Sequence, residues 1–148
     1  MNLEVLNKID HRFAEIREEA VKRAEELNSS NMPVISIGMA TCGIAAGAIE
    51  TKKAIIEILE KESIKARIKK VGCIGHCYAE PVIIIDHPES GLPPLLYHGV
   101  TPGKARMIVK SFLLEGDPLF EHVLGATKEN DLIPQLWDFP RFNMEARV

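Results

Sequence analysis

The chain has 148 residues, of which 46% are hydrophobic and 26% are charged, and this composition predicts one globular domain with a single core, plus a possible extension. Its net charge of -3 offers no basic surface that would attract phosphates, so we expect no nucleic-acid partner. No apolar stretch approaches the roughly 20 residues that span a bilayer, and the charged N-terminus lacks the apolar region of a signal peptide. We therefore expect a cytoplasmic protein without membrane insertion.

Residues 1–30 are predicted to form an N-terminal amphipathic helix. Apolar side chains recur every three or four residues among acids and bases, at Leu6, Ile9, Phe13, Ile16, Ala20, Ala24 and Leu27. Such a stripe either packs on the chain's own domain or docks another subunit, and the periodicity alone favours neither. The polar segment NSSNMP then ends the helix.

The first half of the segment 33–116 has a strand, a helix and a second strand. Residues 34–37 are short and apolar and predict a buried strand, and residues 45–62 have helical periodicity. Residues 64–71, IKARIKKV, alternate apolar and polar side chains, which predicts a half-exposed strand.

The second half of the segment predicts a hairpin and a helix. PVIIID (81–86) is β-branched and continuous, as in a buried strand, and HPESGLPP turns the chain so that LLYHGV becomes its hairpin partner. Thr101 and Pro102 form a helix start, and that helix is expected to run to about Leu114. The element order predicts an α/β fold with a mixed sheet covered by helices. Residues 117–148 are proline-punctuated and are expected to be extended, or to pack on something outside this block.

Three cysteines need a common explanation. Cys73 and Cys77 lie four apart in the glycine-containing loop VGCIGHCYAEP, and Cys42 lies in a second such loop, IGMATCGIAAGA. An odd number of cysteines in a chain without an export signal favours metal ligands or redox groups over structural disulfides.

The order of these motifs resembles a known family. A loop ending in GIAAGA that opens a helix, followed by GCIGHCYAEP and a β-branched strand, resembles the thioredoxin-like 2Fe-2S ferredoxin domain. The version of this domain that the chain most resembles lies at the N-terminus of the flavin- and NADH-binding subunit of NADH dehydrogenases and bifurcating hydrogenases. This resemblance covers roughly residues 33–116 and implies a thioredoxin-like fold. PRFNMEARV also resembles the segment that leads into that subunit's flavin domain, so residues 117–148 are expected to lead toward an absent flavin-binding domain, in a truncated chain or a split gene product.

The resemblance implies that Cys42, Cys73 and Cys77 bind a 2Fe-2S cluster. Cys73 and Cys77 match the family's second pair, C-x3-C, whereas its first pair, C-x4-C, is incomplete here. Aligned on AAGA, the two ligand positions fall at Gly38 and Gly43; aligned on Cys42, the first falls at Ile37. In either alignment one thiolate is missing.

The fourth ligand is therefore expected to be absent or to be a group other than cysteine. The nearest candidates along the sequence are Ser36, Thr41 and His76. Zinc, completed by His76, is a rival for the same thiols, although the usual C-x2-C pairs of zinc knuckles are missing. A thioredoxin-type dithiol would need C-x-x-C at a helix N-terminus, which this sequence does not provide.

Two functions from different classes follow. The first is an electron-transfer module with a 2Fe-2S cluster inside a multisubunit NADH-dependent oxidoreductase or hydrogenase. Its partners would be other subunits of that complex, including a flavin/NADH-binding domain, and flavin and NAD would be bound only there. The alternative is a cluster-free adaptor that holds a redox complex together. In both interpretations the chain alone is expected to catalyse no reaction.

Overall fold

The computed structural model describes residues 3–28 and 31–140, and the chain divides into two compact units between residues 31 and 32. The first unit contains one long helix, α1 (Leu3–Asn28), which confirms the predicted N-terminal helix. Three of its apolar side chains are largely exposed: Ile9 at 56%, Phe13 at 67% and Ile16 at 51%. No helix in residues 3–28 or 31–140 has both the length and the apolar composition needed to cross a membrane.

The second unit is built on a five-stranded mixed sheet with the order β2-β1-β3-β4-β5. Its strands are β1 (Val34–Gly38), β2 (Arg67–Val71), β3 (Ile83–Asp86), β4 (Leu95–Tyr97) and β5 (Val123–Ala126). β1 and β2 are parallel, and the other neighbours are antiparallel. The predicted mixed sheet is therefore confirmed, and it places the C-terminal ends of β1 and β2 at the same edge.

Two helices, α3 (Ala48–Lys61) and α4 (Pro102–Lys110), cover one face of the sheet. Their buried side chains, such as Ile55 and Ile108, share a core with the inward-facing residues of the strands, such as Ile35 and Ile85. Burial of this apolar surface is the main force that holds the layers together. A smaller cluster on Leu96 includes Ala79, Val82 and Leu136. Strand residues alternate between faces, so this cluster covers the other side of the sheet.

The start of α4 agrees with the sequence prediction. The Thr101 hydroxyl accepts a hydrogen bond from the Lys104 backbone N–H, and Pro102 occupies the first helical turn. The last turn, Ser111–Glu115, widens into a π-helix, and Gly116 ends it with φ of 77°. A left-handed glycine is the usual way to terminate a helix because it lacks the Cβ that would clash there.

The helix predicted over residues 45–62 begins three residues later than predicted, and a separate short helix that the sequence did not indicate precedes it. A short helix, α2 (Thr41–Ala45), comes first, and α3 begins only at Ala48. Gly47 has φ of 104° and separates the two helices, because a residue in this conformation cannot continue a right-handed helix. Cys42 consequently lies within α2, whereas the sequence had indicated that it lies in a loop.

The segment after Gly116 contributes a strand that the sequence did not predict. β5 pairs antiparallel with β4, and a single bridge joins Ala126 to Gln135 in the following segment. A Cβ on Gly125 would lie 3.0 Å from the Pro134 carbonyl oxygen, so glycine permits the close approach of that segment. The division into residues 1–30, 33–116 and 117–148 stays a prediction, and residues 141–148, which include most of PRFNMEARV, lie outside the described residues.

The buried Tyr97 links the fold to pH. Its hydroxyl donates a 2.7 Å hydrogen bond to the Pro118 carbonyl, and burial, followed by the charge of Asp117, raises the pKa of this phenol. The unfolded phenol loses its proton near pH 10, before the folded one. The contribution of the Tyr97 phenol to the unfolding free energy is therefore complete below about pH 10 and is lost as the pH rises above that value.

We expect Tyr97→Phe to remove this alkaline sensitivity. Near neutral pH the variant should lose about 1 kcal/mol of unfolding free energy, because the Pro118 carbonyl loses its donor. Above about pH 10 the unmodified protein should lose up to about 1.4 kcal/mol per pH unit through this group, while the variant should lack that contribution. Urea unfolding at pH 8 and 11 measures both effects. Equal pH dependence in the two proteins would contradict the assignment.

Candidate metal centre

The three cysteines converge at the sheet edge where β1 and β2 end. Cys42 lies in α2, just after β1, while Cys73 follows β2 and Cys77 begins a 3₁₀ turn (Cys77–Ala79). Two backbone hydrogen bonds hold the end of β1 in place. Met39 N–H donates to the Val71 carbonyl at the end of β2, and Gly38 N–H donates to the Val82 carbonyl just before β3. Parallel pairing thus brings together thiols that are 31 residues apart in the sequence.

The sulfur atoms are close enough to share a metal. Cys42 Sγ lies 3.4 Å from Cys73 Sγ, Cys73 Sγ lies 3.8 Å from Cys77 Sγ, and all three lie within 4.8 Å of one another. Two thiolates on one tetrahedral metal, with metal–sulfur bonds of about 2.3 Å, are about 3.8 Å apart. Cys73 and Cys77 are exposed and Cys42 is half-buried, so these thiols are not core residues.

The thiols are not electrostatically equivalent. Cys73 Sγ accepts a 3.2 Å hydrogen bond from the Gly75 N–H, which is the main reason that the pKa of Cys73 is lowered. Cys42 donates its proton toward Cys73, and this bond, with a smaller contribution from Cys77, raises the pKa of Cys42 to about 12. Three adjacent thiolates repel one another, so full deprotonation of the group needs positive charge among the sulfurs. Bound metal ions supply that charge.

The three predicted candidates for the fourth ligand lie in different environments. Ser36 lies inside β1, paired with strands on both sides, and Thr41 is the exposed first residue of α2. His76 is only 2% exposed, and its Nδ1 lies 3.1 Å from the Tyr78 hydroxyl. The His76 ring also contacts Phe139 edge to face. Among the described residues, the ligand atoms that all lie within 4.8 Å of one another come from the three cysteines, and neither His76 nor Glu80 belongs to that group.

Glu80 is a site residue that the sequence interpretation missed. Its Oε1 lies 3.7 Å from Cys42 Sγ, while its Oε2 accepts a 3.0 Å hydrogen bond from the Val82 N–H. The available signal was an acidic residue three positions after Cys77, within the same motif. Carboxylate oxygens are common metal ligands, so this residue type belonged among the candidates.

Two glycines make room for the Glu80 carboxylate. A Cβ on Gly38 would lie 3.2 Å from Glu80 Oε2 and 2.9 Å from Val82 Cγ2. A Cβ on Gly43 would lie 3.1 Å from Glu80 Oε2 and would overlap the Gly38 carbonyl oxygen. These are the two positions at which alignment on AAGA places the family's first ligand pair.

Comparisons with known proteins give a consistent result, although no protein-family model matches the chain. The NADP-reducing hydrogenase subunit HndB of Solidesulfovibrio fructosivorans is 30% identical over 104 residues, which cover 70% of this chain and 79% of that subunit. Two structures of the thioredoxin-like [2Fe-2S] ferredoxin from Aquifex aeolicus also align. One has a TM-score of 0.54 at 19% identity and covers 65% of this chain and 99% of that ferredoxin.

The second ferredoxin structure aligns with a TM-score of 0.55 at 18% identity, over 68% of this chain and 96% of that protein. At such low identity these likenesses show the fold, and they confirm the predicted thioredoxin-like ferredoxin architecture. The 30% identity to the hydrogenase subunit, over 79% of its length, shows that the two proteins are homologous. This chain belongs to the family of the hydrogenase subunit HndB and has the fold of the thioredoxin-like [2Fe-2S] ferredoxins.

Proposed function

We propose that this chain is an electron-transfer module that holds a 2Fe-2S cluster with Cys42, Cys73 and Cys77 in a multisubunit NADH-dependent oxidoreductase or hydrogenase. The observation that carries the proposal is the meeting of three thiols within 4.8 Å at one sheet edge. The related subunit belongs to an NADP-reducing hydrogenase, which supports a place in such a complex. A flavin/NADH-binding domain is the expected neighbour.

The residues of the site suit one-electron transfer. A bound 2Fe-2S cluster would supply a centre that takes up and releases one electron. The thiolates hold it, and the Gly75 N–H stabilises negative charge on the Cys73 sulfur. Cys73, Cys77 and the neighbouring Tyr78, which is 71% exposed, leave this edge open to a partner surface. Access of this kind brings a donor or acceptor close to the sulfurs.

Metal analysis of anaerobically purified protein tests the proposal. We expect about two irons and two sulfides per chain, charge-transfer absorption in the visible range, and an electron paramagnetic resonance signal after dithionite reduction. A folded, colourless and iron-free protein, even after anaerobic reconstitution, would support the cluster-free adaptor. One zinc ion per chain would instead support a structural zinc site.

The exposed stripe of α1 supports docking to another subunit. Ile9, Phe13 and Ile16 repeat at three and four residues, which is the spacing of a helix that packs against a partner helix or groove. Apolar side chains exposed as a stripe gain free energy when a partner covers them. The proposed partner surface is therefore apolar protein from the same complex.

A charge-insertion variant tests this docking role. Phe13→Asp combined with Ile16→Asp should reduce co-purification of the complex at least about tenfold, because carboxylates would be buried against apolar protein. Lys22→Asp, on the opposite side of the helix, is the control and should leave co-purification unchanged. Circular dichroism verifies the helix in both. Undiminished co-purification in the double variant would contradict docking through this stripe.

A further inference from the structure

We propose that the Glu80 carboxylate is the fourth ligand of the metal centre and takes the place of a cysteine that would otherwise stand at position 38. This inference rests on the proposed function, since it assigns a ligand to the same cluster.

Glu80 Oε1 and Cys42 Sγ are separated by about the distance expected of two ligands of one metal. They lie 3.7 Å apart, with the Cys42 thiol donating a hydrogen bond to the carboxylate, while Cys73 Sγ lies 3.4 Å from Cys42 Sγ and 3.8 Å from Cys77 Sγ. Oxygen–metal bonds of about 2.0–2.2 Å and sulfur–metal bonds of about 2.3 Å place an oxygen and a sulfur on one tetrahedral metal about 3.6 Å apart. Two irons with two protein ligands each need two such pairs. Glu80 completes the pair that the sequence leaves with Cys42 alone.

The space around the carboxylate fits this role. A Cβ on Gly38 would lie 2.9 Å from Val82 Cγ2, and 3.2 Å and 3.4 Å from the two carboxylate oxygens of Glu80. A cysteine at position 38 and a glutamate at position 80 would therefore compete for the same volume. Glycine at position 38 and glutamate at position 80 form one compatible combination, in which the donor comes from the segment between the turn Cys77–Ala79 and β3 instead of the end of β1.

A backbone hydrogen bond holds the carboxylate in position. Oε2 accepts the Val82 N–H bond, which leaves Oε1 directed at the Cys42 sulfur. The ion pairs of the described residues do not include Glu80, so no cation competes for its charge. A carboxylate also carries the same single negative charge as the thiolate it replaces. The total charge of the ligand set would then equal that of four cysteines, which a neutral histidine would change.

Three variants test the assignment. Glu80→Gln keeps a side-chain oxygen that can accept the Val82 N–H bond but removes the ligating charge. Glu80→Ala removes the donor altogether, and Gly38→Cys combined with Glu80→Ala returns a thiolate to the vacated space. Glu89→Gln, in the exposed turn Pro88–Ser90, is the matched control for loss of one carboxylate.

The readouts are iron and sulfide content, the rate of iron loss to a chelator, and the electron paramagnetic resonance spectrum of the reduced protein. We expect Glu80→Gln and Glu80→Ala to lose iron at least about tenfold faster than the unmodified protein, with altered g-values. Gly38→Cys with Glu80→Ala should regain retention relative to Glu80→Ala and show the spectrum of an all-cysteine cluster. Glu89→Gln should match the unmodified protein.

A measurement on the unmodified protein makes the test independent of variant folding. Protein labelled with carbon-13 at the glutamate carboxyl should show carbon-13 hyperfine coupling to the reduced cluster in electron–nuclear double resonance. Absence of that coupling, or folded Glu80→Gln with unchanged g-values and iron loss, overturns the assignment of Glu80. If the unmodified protein binds no iron at all, the proposed function itself fails, so the two failures are distinguished.

Discussion

Replacing Cys73 with serine is expected to lower the iron bound per chain at least about tenfold. Cys73 is the middle member of the cysteine group, because its sulfur lies 3.4 Å from that of Cys42 and 3.8 Å from that of Cys77. The Gly75 N–H also lowers the pKa of the Cys73 thiol, so its thiolate forms more readily than that of an ordinary cysteine. A serine hydroxyl stays protonated near neutral pH and is a poor ligand for iron–sulfur centres.

Thr41→Ala is the matched control for this experiment. Thr41 immediately precedes Cys42, is exposed, and lies at the first position of α2. Its hydroxyl was one of the oxygen donors that the sequence suggested, whereas the fourth ligand that we propose is Glu80. We expect Thr41→Ala to bind as much iron as the unmodified protein. Iron content by plasma emission spectrometry measures both variants, and full iron in Cys73→Ser would remove Cys73 from the ligand set.

The order of strands and helices in the second unit could be predicted because the sequence patterns that indicate these elements are local. β3 is a β-branched run, and the start of α4 is marked by a capping hydroxyl and a proline. The division between α2 and α3 was missed because AAGA has too few large side chains to show helical periodicity. Its boundary depends on the backbone conformation of Gly47.

The fifth strand could not be predicted from local signals. VLGA is short and contains a glycine, which weakens the alternation that indicates a strand. Its place is determined by pairing with β4 across an irregular register between Leu96 and Tyr97, and by the segment around Pro134 that crosses Gly125. These contacts are non-local, so they become visible only in the folded chain.

The grouping of the three cysteines could be predicted from the sequence, while the position of a carboxylate beside them was not predicted. Spacing and flanking glycines identified Cys73 and Cys77, and parallel pairing of β1 with β2 explains why Cys42 joins them. Sequence proximity suggested His76, whose ring turns toward Tyr78 and Phe139. Spacing along a loop does not determine side-chain direction, so only the structure shows that the Glu80 carboxylate lies beside Cys42.

Gly43→Ala is expected to disrupt the site, because Gly43 lies in α2 against the end of β1. A Cβ at Gly43 would overlap the Gly38 carbonyl oxygen, and backbone atoms cannot yield as the end of a flexible side chain can. The methyl group would also approach Glu80 Oε2 at 3.1 Å. To relieve the overlap, α2 must move away from β1, and Cys42 must move with it.

We expect Gly43→Ala to lower the unfolding free energy by at least about 2 kcal/mol, because the overlap outweighs the roughly 1 kcal/mol by which alanine favours a helix over glycine. Iron binding should fall at least about tenfold, since displacement of Cys42 breaks the ligand set. Gly72→Ala is the control: it lies next to Cys73, and a Cβ there would meet nothing within 4 Å. Urea unfolding and iron analysis of both variants measure these effects. If Gly43→Ala kept its stability and its iron while Gly72→Ala behaved identically, the close approach of α2 to the end of β1 would not be what positions Cys42.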